Sequence, residues 1–174
     1  MAGRQRKADA DHGRHVRVPE AILGFMRAEM ANADRPETQD AYLSLSRLLL
    51  EVLASGRSPR EIGRMAGGLI GKEARSPGSS APDDALVQLE KLLESRGFMP
   101  KQIGSMPEVG FALGRCPYEQ AALANPAVVC GLHRALAEGM LESLGGAFKV
   151  TNLVARHPTT AGCRLELHAV GQPG

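Results

Sequence analysis

The chain has 174 residues, 43% of them apolar and 23% charged, with a formal net charge of +2. That length and balance suit one globular domain with a real core and exclude a wholly disordered chain. A charge so near zero gives no strong phosphate-binding field, and no apolar run approaches the roughly 20 residues that span a bilayer.

Residues 1–18 read as a basic flexible arm or linker, in which Arg4, Arg6, Lys7, Arg14 and Arg17 outnumber Asp9 and Asp11. No apolar signal core follows the basic start, so the expected location is the cytoplasm, with no membrane partner. Residues 19–174 are expected to form a single domain, helical over about 19–97 and mixed over about 98–170. Pro19 opens a helix with an apolar stripe at Ile22, Leu23, Phe25, Met26 and Met30. Asn32-Ala-Asp-Arg-Pro36 breaks it. The next helix, about 37–54, is apolar on several faces and calls for cover by other elements or by a second subunit.

Ser58-Pro59-Arg60-Glu61 has the pattern of a capping box with Pro at the first helical position. Behind it Ile62, Met65, Ala66, Leu69 and Ile70 recur at helical spacing, while Gly67, Gly68 and Gly71 allow a neighbouring backbone to come close. After the loop 76–82, Asp83 is the expected cap of a helix closed by Gly97. From residue 98 the period changes. Residues 98–103 and 109–115 read as a hairpin around Gly104-Ser-Met-Pro107. Cys116-Pro117 is expected to start a helix, broken near Asn125-Pro126 and ended by Gly145-Gly146. Two further strands follow, over 147–156 and 163–170. The fold class is therefore α+β: N-terminal helices, then a β-β-α-β-β unit with an antiparallel sheet covered by helices on one face.

Several signals fail. Gly67-Gly-Leu-Ile-Gly71-Lys72 is not a phosphate loop, because Ala66 stands at the first required glycine and Glu73 follows the lysine. There is no G-x-S-x-G, H-E-x-x-H or C-x-x-C pattern, and four Phe, two Tyr and no Trp provide no stacking platform for single strands. With no catalytic pairing in view, the chain is read as a regulatory domain and not an enzyme.

What remains is Cys116, Cys130 and Cys163 with His133. An odd number of widely spaced cysteines is not a secreted disulfide framework. With Cys116 as helix N-cap, the helix dipole would stabilise its thiolate, the form that ligates metal. Cys130 and His133 lie three apart and share a helix face. Cys163, at the start of the last strand, could be brought beside the Cys116 helix by strand pairing. Three thiolates with an optional histidine suit zinc or an iron–sulfur cluster. The same thiols can equally be packing residues with no cofactor at all.

The run C-P-Y-x-x-x-A-x-x-x-P-x-x-V-C-x-x-H over 116–133, with Leu93-x-x-x-Gly97-Phe98 before it and Leu141-Glu-x-Leu-Gly-Gly146 after it, resembles a bacterial regulator group. It is similar to the C-terminal half of the ArsR-like winged-helix transcriptional regulators that include the repressors of iron–sulfur cluster biogenesis. The resemblance implies a sensory and dimerising domain, in which cysteines at the positions of Cys116, Cys130 and Cys163 hold a cluster. The fourth ligand is open among His133, His157, His168 and an exogenous group. The family places a winged-helix domain upstream of a Gly-Arg linker, and Gly3-Arg4-Gln-Arg-Lys7 resembles that linker. DNA contact is thus expected only through an absent winged-helix part or a full-length partner.

Three functions compete. A redox or metal sensor requires the cysteines to converge. A small-molecule regulator requires a sizeable apolar pocket, lined from Met26, Met30, Met65, Met99, Met106 and Met140, and separated thiols. A dimerisation module requires an exposed apolar face on the 37–54 helix. A thiol enzyme would need His133 or His157 within hydrogen-bond reach of Cys116.

Overall fold

A computed structural model describes residues 36–75 and 82–170. The expected arm over 1–18, the helix from Pro19 with Met26 and Met30, and loop residues 76–81 lie outside the described residues. The elements are α1 (Pro36–Ser55), α2 (Pro59–Ala74), α3 (Pro82–Ser95), β1 (Pro100–Ser105), β2 (Glu108–Leu113), α4 (Glu119–Ala124), α5 (Pro126–Ser143), β3 (Phe148–Val154) and β4 (Cys163–Ala169). This is the α+β order expected from the sequence. Among the described residues no helix is long and apolar enough to cross a membrane.

The four strands form one antiparallel sheet in the order β1-β2-β4-β3. Alternation along β2 and β4 turns Val109, Phe111, Leu113, Leu165 and Leu167 inward, where they are buried in one core with Leu132, Leu136, Met140 and Leu141 of α5. Phe111 and Leu132 are wholly buried. The β1–β2 turn is tighter than expected: Ser105 pairs with Glu108, so only Met106 and Pro107 lie outside the ladder, and Gly104 belongs to β1.

Helix ends follow their local chemistry. Ser58 caps α2 with both halves of the capping box formed through Glu61. The helix expected behind Asp83 begins one residue earlier, at Pro82. At the other end Gly97, with φ +79°, closes a Schellman turn. There the Phe98 N–H donates to the Leu93 carbonyl at 3.1 Å and the Gly97 N–H to that of Glu94 at 2.8 Å.

The face that α2 buries differs from the expected one. Met65 and Leu69 of the apolar stripe are exposed, whereas Ile62, Gly63, Gly67 and Gly71 are buried against α5. A Cβ at Gly67 would stand 2.1 Å from the Leu136 carbonyl oxygen, and one at Gly71 2.7 Å from that of Met140. From the opposite side, a Cβ at Gly139 would stand 2.1 Å from the Arg64 carbonyl oxygen. Backbone meets backbone, and that close approach outweighs burial of the larger side chains. On α1, Ala41, Tyr42 and Leu45 enter the core while Leu43, Leu50 and Leu53 remain exposed. The described elements thus cover only one side of α1.

Candidate functional site: a cavity ringed by three thiols

Strand pairing places Cys163. It is the first residue of β4, opposite Leu113 at the end of β2, and the Gly162 N–H donates to the Leu113 carbonyl at 2.8 Å. The β2 chain then continues past Gly114 and Arg115, whose N–H groups bond the Met99 and Phe98 carbonyls at 3.0 and 3.1 Å. Cys116 follows immediately. Across the sheet, α5 carries Cys130 and His133 one turn apart. These three segments bring Cys116, Cys130, Cys163 and His133 to the wall of a single cavity of about 50 Å³. All three thiols are free and partly exposed.

The environment of Cys116 is not the expected one. The helix begins at Glu119 with Tyr118 as its N-cap, so Cys116 and Pro117 lie in the preceding turn. Burial pushes the Cys116 thiol up to about 11, against a partial lowering by its hydrogen bond from the Tyr118 backbone. Burial also raises the Cys130 thiol, with the neighbouring Cys163 adding to the effect. Both shifts favour the protonated thiol at Cys116 and Cys130, the reverse of a dipole-activated cysteine. The Cys163 sulfur accepts the Arg156 N–H at 3.2 Å. Two of the three sulfurs thus already receive a backbone N–H.

His133 sits in an aromatic stack. Its ring centroid is 4.2 Å from that of Tyr118, and it meets Phe98 edge-on at 5.3 Å. Burial, helped by the charge of Arg96, pushes its pKa down to about 3, so the imidazole is neutral. Nε2 is sealed from solvent and has no hydrogen-bond partner. An unsatisfied buried nitrogen costs about 1–3 kcal/mol, and neutral imidazole is the form that binds metal or shares one hydrogen bond.

The other histidines are placed elsewhere. His168 lies five residues along β4 from Cys163, on the opposite sheet face, and its Nδ1 pairs with Glu108 Oε1 at 2.8 Å. That removes His168 from the ligand set. His157 Nδ1 is 2.8 Å from Thr159 Oγ1. Of the methionines expected to line a pocket, Met140 reaches the cavity, while Met65, Met99 and Met106 are exposed.

Sequence spacing picks out the thiols and His133, but it misses Arg96, Arg115 and the aromatic pair Phe98 and Tyr118, which share the wall. Tyr118 is within reach of inspection, because the C-P-Y run contains it; Arg96 is not, because only the Schellman turn brings it there. Among the described residues no three His, Cys, Asp or Glu side chains stand around one ion-sized position, so the thiols ring a cavity and not a point. Comparison with protein-family models, with curated proteins and with solved structures found no match.

Proposed function

We propose that this chain is the sensory domain of an ArsR-like transcriptional regulator, and that the signal is read at the thiol cavity as an iron–sulfur cluster held by Cys116, Cys130 and Cys163. The carrying observation is convergence: thiols from the turn before α4, from α5 and from β4 line one cavity. The donor chemistry fits such a group. Soft sulfur ligands suit iron–sulfur clusters and zinc, and N–H bonds to sulfur, as at Cys116 and Cys163, tune such centres. Zinc would need its sulfurs about 2.3 Å from one point, so the ring-like spread favours a larger group. His133, whose neutral imidazole lines the same cavity, is the candidate fourth donor. When bound, the cluster would supply a redox- or oxygen-sensitive state. The chain's own residues would hold it between sheet and α5, so that its loss would let those layers repack.

A small-molecule pocket has less support, since about 50 Å³ is far below the roughly 300 Å³ at which ligand pockets begin. A dimer through α1 is favoured by the exposed Leu43, Leu50 and Leu53. Any DNA contact would belong to a winged-helix part or a full-length partner.

The test is anaerobic purification followed by an absorption spectrum and iron, sulfide and zinc analysis. Visible charge-transfer bands with iron and sulfide are expected. Zinc without bands would replace the cluster with a structural or thiol-switch site, and colourless, metal-free, folded protein would refute the metal reading.

A further inference from the structure

We infer that the exposed face of α1 is an antiparallel twofold interface, and that its partner is a second copy of this chain whose own α1 runs the opposite way. This gives the α1 dimer a geometry and rests on the reading of α1 as the dimer face; the order of charges along the helix supplies the rest.

Asp40, Leu43, Arg47, Leu50 and Ala54 follow one another at alternate spacings of three and four, which puts them on one stripe of α1. All five are exposed, and Glu51 and Leu53 flank them, exposed as well. The opposite stripe, through Ala41, Tyr42 and Leu45, is the one that enters the core. Beyond the helix end the exposed Met65 and Leu69 of α2 continue the apolar surface, since Arg57 Nη1 lies 2.8 Å from the Met65 sulfur. Charges alternate in sign along this surface, from Asp40 through Arg47 and Glu51 to Arg57 just past the helix. Taken from the other end, the same order has every sign reversed. A twofold axis between Arg47 and Leu50 therefore sets Asp40 beside the partner's Arg57 and Arg47 beside the partner's Glu51. The same axis brings Leu43 to the partner's Leu53 and lays the stem of Arg47 over the partner's Leu50. A patch that is its own complement in this way is what a twofold dimer requires. Parallel helices about a twofold axis would oppose Asp40 to the partner's Asp40 and Arg47 to the partner's Arg47, like against like. Among the described residues Asp40, Arg47 and Glu51 make no ion pair within the chain, so their charges are open to a partner.

The test is sedimentation equilibrium of the full chain, treated with chelator, across a concentration series. Wild type should dimerise. Leu50→Arg sets a like charge against the partner's Arg47 without touching the core, and should leave monomer. Arg47→Glu and Glu51→Arg each oppose like charges at two symmetric positions, and each should weaken dimerisation about tenfold. The double exchange of Arg47→Glu with Glu51→Arg sets unlike charges opposite again and should restore it. Added salt should shrink the effect of each single charge change.

A chain that stays monomeric at every concentration, or a dimer that Leu50→Arg leaves intact, would overturn both the geometry and α1 as the dimer face. A dimer lost in Leu50→Arg but not restored by the double exchange would keep the face and overturn the antiparallel register. Sedimentation needs no metal, so the cluster reading stands or falls separately.

Discussion

Alanine at Gly67 and alanine at Gly131 should shift stability in opposite directions, although both glycines lie in helices. At Gly67 the added Cβ would stand 2.1 Å from the Leu136 carbonyl oxygen and 2.9 Å from its carbon. Ordinary contact begins near 3.4 Å, so α2 and α5 must part by more than about 1 Å. Overpacking of this kind costs about 1–3 kcal/mol. The upper end applies here because the obstacle is backbone and cannot change rotamer. Alanine's higher helix propensity returns about 1 kcal/mol, leaving a net loss of about 2 kcal/mol. A Cβ added at Gly131 would meet nothing within 4 Å, so there the propensity gain of up to about 1 kcal/mol stands alone. For a chain of this size about 1 kcal/mol moves the melting temperature by about 2–4 °C. Calorimetry or circular dichroism should therefore show Gly67→Ala melting about 4–8 °C lower and Gly131→Ala slightly higher than wild type. If both variants shift the same way, the backbone-to-backbone crossing of α2 and α5 is wrong. The site is coupled to this crossing, because Leu136 and Met140 present backbone to α2 and line the thiol cavity. Gly67→Ala should therefore also change the alkylation rate of Cys130.

Three further outcomes are expected. In metal-free protein, His133 titrates at about 3 when folded against 6.5 when free. The unfolded chain takes the proton first, so stability is full above about pH 6.5 and falls on acidification, by at most about 1.4 kcal/mol per pH unit. Urea unfolding at pH 7 and pH 5 should show that loss in wild type and a smaller one in His133→Gln. Ser58→Ala removes the α2 capping box and should cost about 1 kcal/mol in the same assay. Phe111→Ala empties a wholly buried position in the sheet and should cost about 3–5 kcal/mol, enough to unfold a marginal domain.

Much of the fold is legible in the sequence because its signals are local. The capping box at Ser58, the glycine stop at Gly97 and the proline at position 126 each depend on a few neighbouring residues, and each is found in place. The orientation of α2 is not legible in the same way. Periodicity favours the stripe through Met65 and Leu69, but the partner's backbone decides for Gly63, Gly67 and Gly71. Cys116 misleads for a related reason: Cys116-Pro117 has the local form of a cap, yet the helix starts two residues beyond Pro117, at Glu119. Convergence of the thiols depends on the antiparallel pairing of β2 with β4 across 50 residues, from Leu113 to Cys163. The sequence can suggest that pairing but cannot fix its register. Arg96 and the unshared Nε2 of His133 emerge only once that register and the Schellman turn are built.

If Cys116, Cys130 and Cys163, from three segments, hold one cluster, they must gain and lose it together. The most direct measurement is iron and sulfide per chain in anaerobically purified wild type and in Cys116→Ser, Cys130→Ser and Cys163→Ser, each checked for folding by circular dichroism. Wild type should carry both elements, and every single variant should lose both together. A folded variant that keeps the full iron and sulfide content, or a wild type that carries neither, would contradict it.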